Sequence, residues 1–421
     1  MKIKKILILF SLVSVALLIF YFMYRMFFGS IVDTKKEEKV DSQEVVKNRL
    51  PESKTGGQNR VDVKKEDQFE KEDLKKDEEI IQKKSDEIES NIDNVAKGGI
   101  TKVHKITDDR TLEPTLDENG QSVRYYNRDD GFFYRINKNG QKTVISDKKF
   151  YNADKVSWSN KGNKAVIYYP DDSKIIYNFQ TQKQNTLPKH WKDFDFSPDG
   201  NQLVMKSIGV DVENRWVIVS NEDGSRTRSI KNIRKYDDNV YPSWSPNNQI
   251  AALYSFGTDA NNQDVYFLGF NDENFRSMSV SGRDFRHKWT PKGDKLLYSV
   301  YDQNDKMKPK LWLVGAQGDN IGQGKKDLYL NTWVDKCTFS NNDEVYCAVP
   351  KDLPEYAGLF PELSEKTYDE LYKVNLKTGQ KQKIAIPETT FNINKLMINE
   401  TKNDLYFTDK FNGKLYRIRL K

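Results

Sequence analysis

The stretch Phe194-Asp195-Phe196-Ser197-Pro198-Asp199-Gly200-Asn201-Gln202-Leu203-Val204-Met205 reads as strand, tight turn, strand. Large apolar residues alternate with polar ones before the turn and an apolar run follows it. Pro198 presets φ, and Gly200 tolerates a positive φ. A single hairpin cannot bury its own faces, so the stretch gains its meaning through repetition.

It does repeat. Residues 115–120 lead into 123–126, residues 157–162 into 165–169, residues 243–248 into 250–254, and residues 288–293 into 296–298. Two weaker copies, 338–342 with 345–347 and 397–400 with 405–407, complete a series of seven. The large residue before each turn is Leu116, Trp158, Phe196, Trp244, Trp289, Phe339 and Ile398, so the repeat averages 47 residues. A second hairpin fits inside each period, marked by turn pairs such as Asn139-Gly140, Asp223-Gly224 and Thr378-Gly379. Four strands per period, with no helical pattern between them, predict an all-β fold: a seven-bladed β-propeller over residues 100–421. The last period holds only three strands. Residues 100–106, which alternate apolar and polar side chains ahead of the first repeat, are predicted to supply the fourth strand and seal the ring.

The chain ahead of the repeats has a different composition. Residues 6–24 run 19 positions without a charge, close to the ~20 that cross a hydrocarbon core as a helix. Lys2, Lys4 and Lys5 precede them, which predicts a cytoplasmic N-terminus and export of everything that follows. Residues 1–30 thus read as a short tail with a transmembrane signal anchor in the cell membrane. A cleaved signal peptide is the competing reading; the bulky Phe22-Met23-Tyr24-Arg25-Met26-Phe27-Phe28 offers it no small-residue cut site. Residues 31–99 carry 34 charged side chains in 69 positions and too few apolar ones for a core. Leu74, Ile81, Ile88 and Val95 fall seven apart, but Glu78 and Ser85 interrupt the companion line of a coiled coil. A solvated stalk, flexible or helical, is favoured over a stable oligomerising coil.

In Phe196-Ser197-Pro198-Asp199-Gly200 and Trp289-Thr290-Pro291-Lys292-Gly293, the Ser/Thr-Pro-x-Gly turn after a large residue resembles the WD40-like (PD40) repeats of TolB-type propellers. Such repeats also occur in the propellers of prolyl-oligopeptidase-like enzymes. The resemblance spans residues 100–421 and implies the fold. It transfers less of the function. TolB-type proteins place a small α/β domain before the propeller, where this chain has its anchor and stalk. The peptidases need a hydrolase domain with a Gly-x-Ser-x-Gly elbow, a motif this sequence lacks.

Residues 100–421 hold 49 basic and 43 acidic side chains without a basic run, which gives no sign of nucleic-acid binding. His104, His190 and His287 fall in different repeats, so no shared metal site is expected, and no cofactor is implied. Cys337 and Cys347 flank the sixth turn symmetrically and should face each other across neighbouring strands. A disulfide and a pair of buried free thiols both satisfy that placement. One long insertion, residues 350–367, interrupts blade six between its second and third strands. Tyr356, Leu359 and Phe360 make it more apolar than a solvated loop needs. The loop either folds over the channel mouth and a neighbouring blade or offers a partner surface. These readings converge on a membrane-anchored, extracytoplasmic propeller that binds an envelope protein, peptide or glycan. The alternative is a surface hydrolase or lyase with its site at the propeller channel.

Overall fold

A computed structural model describes residues 92–421 together with Val15, Leu17, Leu18 and Tyr21. Those four, from the apolar stretch, are helical; the rest of the proposed anchor and nearly all of the stalk lie outside the described residues. No helix among the described residues is long and apolar enough to cross a membrane.

From Thr111 onward the chain lays down seven antiparallel sheets in sequence order. Blade one runs from Thr111 to Val144, blade two from Lys155 to Leu187, blade three from Trp191 to Asn232 and blade four from Val240 to Ser281. Blade five runs from Arg283 to Asp327, blade six from Cys337 to Pro387, and blade seven begins at Ile393. Each sheet starts on its innermost strand, which carries the large marker residue in six blades and ends two residues before it, at Pro242, in blade four. Within a blade, the connections from first to second and from third to fourth strand share one rim, here the turn rim. The connections from second to third strand, and onward to the next blade, share the opposite loop rim.

The repeated turn has a physical cause that the sequence shows only in part. In six blades the polar residue after the marker turns its side-chain oxygen inward to accept a backbone N–H five residues on. Asp117, Ser159, Ser197, Ser245, Thr290 and Asn399 do this at 2.8–3.2 Å. The fourth residue of the turn is left-handed. Gly120, Gly162, Gly200 and Gly293 take φ of 61° to 73°, and in the copies without glycine Asn248 and Lys402 adopt 58° and 56°. Gly120 is also required by contact, since a Cβ there would stand 2.5 Å from Cγ of Glu400 in the blade-seven turn.

Seven apolar clusters divide the core, one at each joint between neighbouring blades. Val123, Tyr125 and Tyr134 of blade one meet Met397, Tyr406 and Leu415 of blade seven in the cluster that closes the circle. Polar bonds stitch the same joints. The Trp158 indole donates to the carbonyl of Glu113 at 2.6 Å, the amide of Trp244 to Asp195 at 2.7 Å, and Lys288 to the carbonyl of Cys337 at 2.8 Å.

Closure departs from expectation in one respect. The predicted closing strand splits in two. His104–Lys105 pairs antiparallel with Leu415–Arg419 as the fourth strand of blade seven, whereas Ile100–Thr101 pairs parallel with Lys381–Pro387 as a fifth strand of blade six. Between them the amide of Val103 donates to Glu388, and the Val103 side chain packs into the cluster joining blades six and seven. The open edge of blade six lies in the path of the incoming chain, and pairing there satisfies backbone groups that would otherwise face solvent.

Candidate functional site

The long insertion follows the second strand of blade six (Glu344–Pro350) and returns into the third (Asp369–Asn375), which places it on the loop rim. It has an inner and an outer side. On the inner side Leu353 and Ala357 are buried against Trp333. The amide of Tyr356 donates to the carbonyl of Lys306 at 3.0 Å, that of Gly358 to Met307 at 2.7 Å, and Glu355 pairs with Lys306 at 2.6 Å. Gly358 comes so close that a Cβ would meet Cβ of Tyr301 at 2.4 Å. At its far end Asn392 donates to the carbonyl of Ser364 at 2.8 Å, tying the loop to the entry of blade seven. The loop therefore does cover a neighbouring blade.

On the outer side Tyr356, Leu359 and Phe360 stand 53%, 45% and 48% exposed. Leu363, in the short 3-10 turn Pro361–Ser364, joins them at 44%. The sequence reading missed Leu363, although its spacing of three and four from Phe360 and Leu359 was there to be used. The three predicted residues share one loop, and its backbone is fixed at both ends.

Beneath the loop a pocket of about 240 Å³ opens at the ring mouth, lined in part by Arg286, Trp333, Asp335, Lys336 and Lys410. Its floor carries a buried ion pair: Lys336 reaches Asp369 at 2.8 Å and Asn392 at 3.0 Å. Burial works against the charge on both partners, lowering the lysine pKa and raising that of the carboxyl, and their pairing opposes both shifts. Arg286 bridges Asp284 at 2.9 Å and Asp335 at 3.1 Å.

The inner strands hold three further perturbed groups. Burial pushes Asp195 up to about 6, although the amides of Trp244 and Phe196 donate to it. Burial lowers His287 to about 4 and Lys288 to about 8. All three retain some exposed surface, yet protein encloses them on the channel wall. His287 bonds Ser243 at 2.8 Å, His104 lies in the closing strand, and His190 packs edge-on to Trp191 at the entry of blade three. The three histidines do not converge. Among the described residues no three His, Cys, Asp or Glu side chains form a group able to hold a metal ion.

Cys337 and Cys347 are register partners on the first two strands of blade six. Both are buried in the cluster between blades five and six and joined in a disulfide.

No protein-family model matches the chain, and no curated protein matches it in sequence. Solved structures do share its fold. The β-propeller domain of Myceliophteria thermophila Cps50 (Swd1) aligns at 11% identity over 76% of this chain and 100% of that one, with a TM-score of 0.50. An oligogalacturonate lyase from Vibrio parahaemolyticus aligns at 13% identity over 76% and 93%, with a TM-score of 0.48. The tricorn protease aligns at 10% over 75% and 34%, with a TM-score of 0.43. Likeness at this level belongs to the fold alone: the chain is a seven-bladed β-propeller.

Proposed function

We propose that the protein is a non-catalytic binding module that docks a protein or peptide partner on the outer side of the blade-six loop. The observation that carries this reading is the pairing of an exposed apolar surface with a fixed backbone. Four large apolar side chains, each about half exposed, belong to one loop that is hydrogen-bonded to blade five and to the entry of blade seven. A loop ordered before binding loses little further entropy when a partner covers it, so the apolar area converts more fully into affinity. The composition of residues 1–99 supports a setting for this docking: an anchored chain with a charged stalk, holding the propeller outside the cell membrane. Tethering there would raise the effective concentration of the loop near partners in the envelope.

The test is capture from envelope extract by the full chain, compared with the Tyr356→Ser/Leu359→Ser/Phe360→Ser variant. Each replaced side chain is about half exposed, so the stability of the variant should change by no more than ~1–2 kcal/mol in total. A protein retained by the native chain and lost from the folded variant is the expected result. Equal capture by both refutes the loop as the docking surface.

A further inference from the structure

A second cavity lies on the opposite rim from the blade-six loop, where the turns of blade one and blade seven face each other. It measures about 580 Å³ and is walled almost wholly by polar side chains. Its position follows from the two repeats that meet at the seam. The marker turns touch at Gly120 and Glu400, and beside that contact the third strands of both blades deliver arginines at corresponding places, Arg135 and Arg417. Lys138, Arg419 and Lys421 add three more cations to the lining, against a single lining carboxylate, Asp404.

The charges in this cleft are incompletely neutralised from within. Arg135 pairs with Asp117 at 2.7 Å, but Arg417 stands 3.7 Å from Asp404, and Asp404 already accepts from Asn399. The Nε atoms of Arg135 and Arg417 are both buried without a hydrogen-bond partner. These two atoms have almost no accessible surface, so it is the remaining, partly exposed part of each guanidinium that the cleft can offer a ligand. The propeller as a whole carries 49 basic and 43 acidic residues, a mild excess, and five cations to one lining acid is a local concentration of it.

The remaining walls narrow the chemistry. Asn119, Gln121, Asn139 and Asn403 present exposed amides that both donate and accept, as hydroxyl groups require, while Asn137 and Asn399 spend theirs holding their own turns. The one lining aromatic, Tyr406, is 1% exposed and offers no ring face on which a base could stack. A volume within the ~300–1,000 Å³ usual for ligand sites exceeds what a lone small ion needs. We infer that the cleft between blades one and seven binds a segment of an acidic, hydroxylated polymer, its acid groups set against Arg417, Arg419 and Lys138 and its hydroxyls against the amide walls. This site is independent of the blade-six loop and stands or falls apart from it.

The test is titration of the full chain at low and high salt with four probes: a uronic-acid hexasaccharide, a poly(glycerol phosphate) oligomer, neutral maltohexaose and a single-stranded oligonucleotide. One or both acidic hydroxylated polymers should bind, with affinity falling as salt rises, and the stronger of the two identifies carboxylate or phosphodiester as the acid group. Lys138→Ala/Arg419→Ala changes only exposed rim side chains and should weaken binding at least tenfold, while the loop variant described above should bind as the native chain does. Arg419→Lys should recover part of the loss. The inference is overturned if neither acidic polymer binds at millimolar concentration, if maltohexaose binds equally, if the oligonucleotide binds best, or if the rim variant is indistinguishable from the native chain.

Discussion

At the scale of single residues, the inner wall sets two opposing pH responses. Asp195 has a folded pKa of about 6, above its ordinary value of 3.8, because burial disfavours the carboxylate. The folded state then binds the proton first as pH falls, so stability withheld by this group at neutral pH returns between pH 6 and 4. His287 is the reverse case. Its folded pKa is about 4, below the ordinary 6.5, so the unfolded chain is protonated first and stability is lost as pH falls through that window. Denaturant titrations at steps from pH 7 to pH 4 should separate the two. Relative to the native chain, Asp195→Asn should be most favoured at pH 7 and lose that advantage on acidification. His287→Gln should gain relative to the native chain over the same steps. Parallel profiles for all three proteins would refute both assignments. Neither shift was legible in the sequence, where Asp195 is one polar position of an alternating strand. Its burial comes from Trp244, 49 positions away, whose amide it accepts.

At the scale of elements, the sequence showed the hairpins best where turn chemistry was complete and less well where it had decayed. Pro198 and Gly200 announce the third turn. Asn399-Glu400-Thr401-Lys402 has neither residue, yet the same backbone forms because Asn399 supplies the inward acceptor and Lys402 accepts the left-handed position. A signal was present in the recurring Ser, Thr, Asp or Asn after the marker. Blade six shows the converse: its register follows directly from the symmetric placement of Cys337 and Cys347, which are partners across the first two strands. The sequence left disulfide and thiols as alternatives because oxidation state depends on surroundings as well as spacing. With the bond formed, alkylation of the denatured chain should label no cysteine until reductant is added, and then two. By chain entropy alone, a loop this short gives about 2–3 kcal/mol, so Cys337→Ser/Cys347→Ser should unfold at lower denaturant by roughly that much. Labelling before reduction would show the thiols to be free. The blade-six loop was legible as an insertion and as apolar. Which side chains point outward was not, since that depends on blade five receiving Leu353, Ala357 and Gly358.

At the scale of the whole propeller, a mean repeat of 47 residues foretold seven sheets, and the count of strands in the last repeat foretold that the ring would be closed by the chain ahead of the first. The cleft between blades one and seven was invisible to that reasoning. Its arginines come from repeats that are neighbours only because the circle closes, and they lie 282 positions apart in the chain. The divided closing strand has a mechanical side. Any pull that reaches the propeller through the residues ahead of 92 meets, in order, the bonds of Asp93, Ala96 and Gly98, then the pairing at Ile100–Thr101, and last that at His104–Lys105. Load would peel this segment away before the inner strands carry any of it. A single-molecule extension trace should therefore show an early, low-force step of about 50 Å, the contour length of residues 93–106, ahead of the main rupture. While the segment is released, two sheets present bare edges to whatever extended strand lies near. The fastening would then act as a tension gauge that turns a pull on the N-terminal side of the propeller into a new place to bind.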